Sequence, residues 1–190
     1  MGTPREPVPA KYFVALLSSD RALLSAVEGD LASILGSVDG RSPISPWEIS
    51  RYYENEMGTG LLRRFVSFSS LISPGKLAEI KLQAQQLETK YRGGQGGRNR
   101  RVNIDPGYCE ASKIVLATTK NASHRIYLQS GIFAEPTLLY YKGGFRESVR
   151  TYPDYQWPET LCFFASLRSL YLKQLRQLGI TAGRPAAEPE

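Results

Sequence analysis

Histidine occurs once in this chain and cysteine twice, and those two scarcities remove whole classes of chemistry. The lone His124 excludes a two-histidine metal site. Cys109 and Cys162 are too few and too far apart for a disulfide framework or a zinc site, both of which need dense spacing. Free thiols in a reducing cytosol are expected. Long apolar runs are also missing: the first, residues 12–17, is six residues long and ends at Ser18, Ser19 and Asp20. That is far short of a signal-peptide core or of the ~20 residues of a spanning helix. Glu6 stands where a myristoylation signal needs Ser or Thr. A soluble, cytoplasmic protein without membrane partners is expected. There is no Gly-x-Ser-x-Gly elbow and no Gly-x-x-x-x-Gly-Lys-Ser/Thr loop, so neither a hydrolase nucleophile of that design nor a P-loop phosphate cradle is present. No repeat of solenoid period is visible.

What is present begins with enough chain for a core. The chain has 190 residues, and a chain of that size buries roughly 70% of its unfolded surface, so a single domain over residues 1–180 is the expected organisation. The net charge of +6 is unevenly placed. Residues 1–91 carry ten basic and ten acidic side chains, and residues 92–190 carry fourteen and eight, so the whole surplus lies in the second half. That favours an anionic partner there.

Residues 11–17 fit a buried strand, and Ser18 to Asp20 can cap the helix that follows. In residues 21–35, Leu23, Leu24, Val27, Leu31, Ile34 and Leu35 recur at three and four, and Gly36 ends the helix. Residues 61–71 alternate as a strand. Ser73, Pro74 and Gly75 open a second helix carrying Leu77, Ile80, Ala84, Leu87 and Tyr91. Residues 92–101, with four glycines and four arginines, predict a mobile loop. Asp105-Pro106-Gly107-Tyr108 has the residues of a type II turn. Three strands over residues 113–118, 125–128 and 133–141 predict an antiparallel meander. Pro158 opens a last helix over residues 159–178, ended by Gly179, and the tail 181–190 is expected to be disordered. This order predicts an α+β sandwich of two layers, with a ferredoxin-like start and an antiparallel or mixed sheet covered by helices mainly on one face.

Candidate chemistry concentrates in residues 100–135 and in the irregular stretch 39–60. Trp47, Tyr52 and Tyr53 suit stacking on a ring, and Glu54 and Glu56 suit a cation or proton transfer. His124 is the one side chain whose ordinary pKa of ~6.5 allows proton transfer near neutrality. Asp105, Glu54 or Glu56 are its candidate carboxylate partners. Charge for an anion comes from Lys113, Lys120, His124 and Arg125, with Arg63 and Arg64 from the neighbouring strand, and Tyr108 and Tyr152 join Tyr52 as stacking rings. A carboxylate-only magnesium site from Glu54, Glu56 or Asp105 stays open, and no cofactor is specified.

The segments SPISPWEISRYYENEMGTGLLRRFVSF, RVNIDPGY, KIVLATTKNASHRIYL and TYPDY together resemble a bacterial domain-of-unknown-function family whose members are sometimes labelled GTP-binding protein. The resemblance covers roughly residues 11–171 and implies no particular reaction. A guanine-reading Thr-Lys-x-Asp string stands here as Thr119-Lys120-Asn121-Ala122, without its acid. Nucleotide binding would therefore be of another design than a P-loop GTPase. Two functions follow from the residues: a protein that binds a phosphate-bearing ligand, nucleotide or RNA, at a basic, aromatic-lined cleft, or an enzyme in which His124 exchanges protons with Asp105 or Glu56 on an anionic substrate. A subunit-contact surface built on exposed aromatics is the third.

Overall fold

The computed structural model describes residues 3–93, 99–148 and 150–181. Its organising strand is β1 (Ala10–Ser18), in which all nine residues are buried, as befits a strand covered on both faces. β1 leads into α1 (Arg21–Leu35), which Asp20 caps by accepting from the Ala22 and Leu23 amides at 2.9 and 3.1 Å. α1 buries Leu23, Leu24, Val27, Leu31 and Leu35, the face its spacing predicts. β2 (Val38–Arg41) and β3 (Ser45–Pro46) both pair with β4 (Leu62–Ile72), and the short α2 (Glu54–Met57) lies between β3 and β4 in sequence. A 3-10 turn, Pro74–Lys76, opens α3 (Leu77–Lys90), as Ser73, Pro74 and Gly75 predict. The chain then enters β5 (Asn103–Cys109).

The strand order over this half is β2-β4-β1-β5, antiparallel throughout. β4 lies between β1 and β2, and β1 lies between β4 and β5, which is the interleaved βαββαβ arrangement of a ferredoxin-like fold. α1 and α3 share one face with Tyr12, Val14, Leu16, Val66 and Phe68. The opposite face, with Phe13, Ala15 and Phe65, is covered by α4 (Pro158–Gln177) through Phe163, Phe164 and Leu167. Two of the three long helices thus lie on one face, and the last returns to cover the other.

The second half extends the sheet past β5 with β6 (Lys113–Thr118), β7 (Ile126–Gln129), β8 (Ile132–Tyr141) and β9 (Gly144–Glu147). The expected meander is corrected: the order is β6-β8-β7, with β8 next to β6 and its far edge shared by β7 and β9. Two tight hairpins place β7 and β9 along the same edge of β8. Ser130 and Gly131, at φ 51° and 76°, turn β7 into β8, and Lys142 and Gly143, at φ 46° and 84°, turn β8 into β9, the two-residue geometry that matches strand twist.

A second correction concerns Asp105-Pro106-Gly107-Tyr108, which is the middle of β5 and forms no turn. A Cβ on Gly107 would stand 2.5 Å from Phe13 Cζ and from the Val115 carbonyl, so the glycine lets the Phe13 ring lie against the strand. Of the expected mobile loop and tail, residues 94–98 and 182–190 lie outside the described residues. The described ends of the loop are held: Gly93 and Asn99 form a bridge, and Arg101 pairs with Asp20 at 2.9 Å. Among the described residues no helix is long and apolar enough to cross a membrane.

Candidate functional site

β5 pairs with β1 over its whole length but with β6 through three residue pairs alone, Gly107 with Leu116, Tyr108 with Val115 and Cys109 with Ile114. β6 continues along β8 as far as Thr118 opposite Phe133. The two strands therefore part beyond Gly107. Pro106, which has no N–H to donate, stands at the parting point. The gap is the bottom of a cleft of about 490 Å³, with Asn103 and Asp105 on one wall and Leu116 to Thr118 on the other. The register sets Arg63, Leu17 and Asn103 side by side, and Ala15 beside Asp105, on the face that α4 covers. Lys81, Gln85 and Glu88 line the same cleft from α3, on the opposite face. The cleft thus passes through the split in the sheet.

Its inner end is built from ion pairs. Arg63 Nε lies 2.9 Å from Asp154 Oδ2, with the two side chains 5% and 1% exposed. The contact lacks hydrogen-bond alignment, and Arg63 NH1, Asp154 Oδ2 and the Tyr155 hydroxyl have no hydrogen-bond partner among the described residues. The guanidinium lies over the Trp47 ring at 4.7 Å, a favourable cation–π placement. Lys81 donates to the Ile104 carbonyl and to Asp105 Oδ1, both at 2.8 Å, and the Asn103 amide donates to the other Asp105 oxygen. Arg100 bridges outward, donating to Asn103 Oδ1 at 2.9 Å and Glu56 Oε2 at 2.8 Å, with its guanidinium over the Tyr53 ring.

The mouth is different. Lys120 is exposed, donates to the Tyr52 hydroxyl at 3.1 Å and lies 4.4 Å from the centre of that ring. Among the described residues it has no carboxylate within ion-pair distance. Tyr52 is 66% exposed and meets Tyr53 edge to face at 5.0 Å.

Burial and charge tune the carboxyls in opposite directions. Burial works to raise Asp105, but Lys81 and, more weakly, Arg63 and Asn103 outweigh it and hold its carboxyl below the usual range. Burial raises Asp154 against the pull of Arg63, and burial raises Glu88 against Lys81. Burial, helped by the Asp105 charge, pushes the Tyr53 phenol up to about 12. Four cations and three carboxylates line the cleft, so its interior is charge-compensated and Lys120 carries its one charge unpaired among the described residues.

Of the residues expected from sequence, Tyr52, Tyr53, Arg63, Asp105, Lys120 and Tyr152 line this cleft together. Arg125 sits behind the rim, donating from NH2 to the Tyr152 hydroxyl at 2.6 Å and from NH1 to the Lys120 carbonyl at 2.9 Å. The others lie elsewhere. Arg64 points to the α1 face and meets Glu28 at 3.1 Å. Lys113 pairs with Glu110 at 2.5 Å, and Tyr108 packs on Tyr12. His124 is not brought to Asp105, Glu54 or Glu56. Its Nε2 lies 3.3 Å from Glu135 Oε2, an oxygen that already accepts from Arg125 Nε at 2.8 Å. Glu56 is held by Arg100 and Glu54 stands 4.0 Å from Arg51.

Sequence reasoning missed Lys81, Glu88, Asp154 and Tyr155, and within the stretch 100–135 it singled out neither Arg100 nor Asn103. Arg100 was hidden in a glycine-rich segment, and Lys81 and Glu88 looked like the solvent face of a helix. Glu135 was legible, because a two-residue turn at Ser130-Gly131 pairs Ile126 with Ala134 and so brings residue 125 beside residue 135. Among the described residues no group of three or more His, Cys, Asp or Glu side chains could hold a metal ion. A family model described as Domain of unknown function (DUF4416) matches residues 8–171. No curated protein and no solved structure matches the chain.

Proposed function

This chain belongs to the family of unknown function DUF4416, whose description assigns no reaction, and from the cleft itself we propose that it binds a phosphate-bearing ligand of nucleotide size. The observation that carries this reading is Lys120 at the cleft mouth, a cation without a carboxylate partner set against an exposed tyrosine ring. A phosphate takes the ammonium, and a planar ring takes the aromatic surface of Tyr53 and Tyr152. A volume of about 490 Å³ accommodates one nucleotide, which favours a single nucleotide over an RNA strand. Residues 1–180 act as one domain around this cleft. Both thiols are free, in keeping with work in the cytoplasm.

Binding is favoured over proton transfer by the position of His124. The carboxylate nearest to it is committed to Arg125, and the imidazole is not among the cleft-lining residues. The test is calorimetric titration with nucleoside mono-, di- and triphosphates and a short single-stranded RNA at two salt concentrations, on the parent and on Lys120→Ala. Parent binding that weakens with salt and is lost in the variant is expected, with the mononucleotides saturating one site per chain. Equal binding by both proteins, or binding by the RNA alone, overturns the reading.

A further inference from the structure

The cleft is polar at both ends, and the ends differ in kind. At the inner end every charge has its opposite: Arg63 faces Asp154, and Lys81 faces Asp105. What is left over there is hydrogen-bonding capacity. Among the described residues Arg63 NH1 is a donor without an acceptor, Asp154 Oδ2 meets Arg63 Nε at 2.9 Å out of line and so keeps accepting capacity, and the Tyr155 hydroxyl has neither donor nor acceptor. All three side chains line the cleft, and each is at most 5% exposed. Buried polar groups in folded proteins are satisfied with few exceptions, and three such atoms on side chains that line one cleft leave capacity there for a ligand to use.

The missing partner has a defined pattern. It must accept from the guanidinium, donate to the carboxylate and reach the phenol. A phosphate fits badly, because its oxygens, mostly deprotonated at neutral pH, would face the Asp154 carboxylate. A lactam edge fits, since its ring carbonyl accepts from Arg63 while the neighbouring ring N–H donates to Asp154. The unpaired charge of the cleft stands at the other end, on Lys120.

We infer that the ligand enters ring first, with a lactam-type base edge read by Arg63, Asp154 and Tyr155 at the inner end and its phosphate held at the mouth by Lys120. This rests on the nucleotide reading and adds to it the direction of the ligand and the class of base. A base that exposes an amino group and a bare ring nitrogen in the same positions presents the pattern reversed. Its acceptor would face Asp154 and its donor would face Arg63, and both would repel.

Four probes separate the two ends: inosine 5′-monophosphate, adenosine 5′-monophosphate, inosine and ribose 5-phosphate, each titrated into the parent, Tyr155→Phe and Lys120→Ala. The parent is expected to prefer inosine 5′-monophosphate to the adenosine compound by about tenfold or more, as for loss of correctly paired buried hydrogen bonds. Tyr155→Phe should weaken inosine 5′-monophosphate and inosine about three- to tenfold and leave ribose 5-phosphate unchanged. Its melting temperature should not fall, because the hydroxyl removed has no partner to lose. Lys120→Ala should weaken inosine 5′-monophosphate and ribose 5-phosphate and leave inosine unchanged. If Tyr155→Phe weakens ribose 5-phosphate, if Lys120→Ala weakens inosine, or if the adenosine compound is preferred, the inference falls while nucleotide binding stands. If none of the four binds the parent, both fall together.

Discussion

Arg125 Nε donates to Glu135 Oε2 at 2.8 Å, and the two side chains are 8% and 2% exposed. The same guanidinium ties the Tyr152 hydroxyl and the Lys120 carbonyl, so one side chain joins β8, the segment after β6 and the turn before α4. Arg125→Ala leaves Glu135 buried with the His124 ring, 3.3 Å away, as its remaining side-chain neighbour. A loss of about 3–5 kcal/mol is expected from stranding a buried charge, read as a shift in the urea midpoint. A loss below 1 kcal/mol would show that Glu135 is relieved by solvent.

Gly107→Ala tests the strand assignment of the Asp-Pro-Gly segment. A methyl group there meets the Phe13 ring and the Val115 carbonyl, and one of those contacts is backbone that cannot swing away. About 1–3 kcal/mol of destabilisation is expected from overpacking, measured by thermal unfolding. In a type II turn the same change would also cost about 1 kcal/mol, through the positive φ of that position, but the cost would not depend on Phe13.

Acid should unfold the protein in part through Asp105. Its folded carboxyl titrates below its unfolded value because Lys81 and its neighbours outweigh burial, so between the two values the unfolded chain binds more protons. The stability from this group is therefore complete above the ordinary carboxylate pKa of ~3.9 and is lost as pH falls through the folded value. Asp154 and Glu88, raised by burial, act with the opposite sign at higher pH, where protonation favours the folded state. In urea titrations from pH 7 to pH 2.5, Asp105→Asn should start lower at neutral pH and fall less steeply below pH 4. An unchanged acid limb would show that the Asp105 carboxyl is not the group being titrated.

A fourth prediction concerns Lys11, fully buried on β1 and donating to Asp39 at 2.6 Å, the Phe68 carbonyl at 2.8 Å and Gln174 at 2.8 Å. Gln174 belongs to α4, so this ammonium fastens the end of the last helix to the sheet. Lys11→Ala is expected to cost about 3–5 kcal/mol by leaving its partners unsatisfied, and hydrogen exchange should speed up first in the last turns of α4. Uniform loss of protection across α4 would contradict a local anchor.

The long helices and the ferredoxin-like start were readable because each depends on a local period: Leu23, Leu24, Val27 and Leu31 on α1, and Phe164, Leu167, Tyr171 and Leu175 on α4. The Asp-Pro-Gly segment was misread because its turn preference is local, whereas the demand for a side chain without Cβ comes from Phe13, far back in the chain. The cleft was half readable. Tyr52, Arg63 and Lys120 announced themselves by residue type, but Lys81 and Glu88 enter it from a helix on the far side of the sheet, and only the parting of β5 from β6 admits them. His124 drew attention by being alone, and its surroundings turned out to be an arginine's ion pair.

That parting has a mechanical side. Three rungs, from Gly107–Leu116 to Cys109–Ile114, are the hydrogen-bonded seam between the ferredoxin-like half and the strands beyond it, and past them the two lips face each other across a space. A wedge-shaped gap closed at one end works like a pair of tongs. A molecule gripped between Asp105 and Thr118 spans the lips where the backbone does not, so its arrival would be recorded in amide exchange along both of them, at distances from the ligand that direct contact cannot reach.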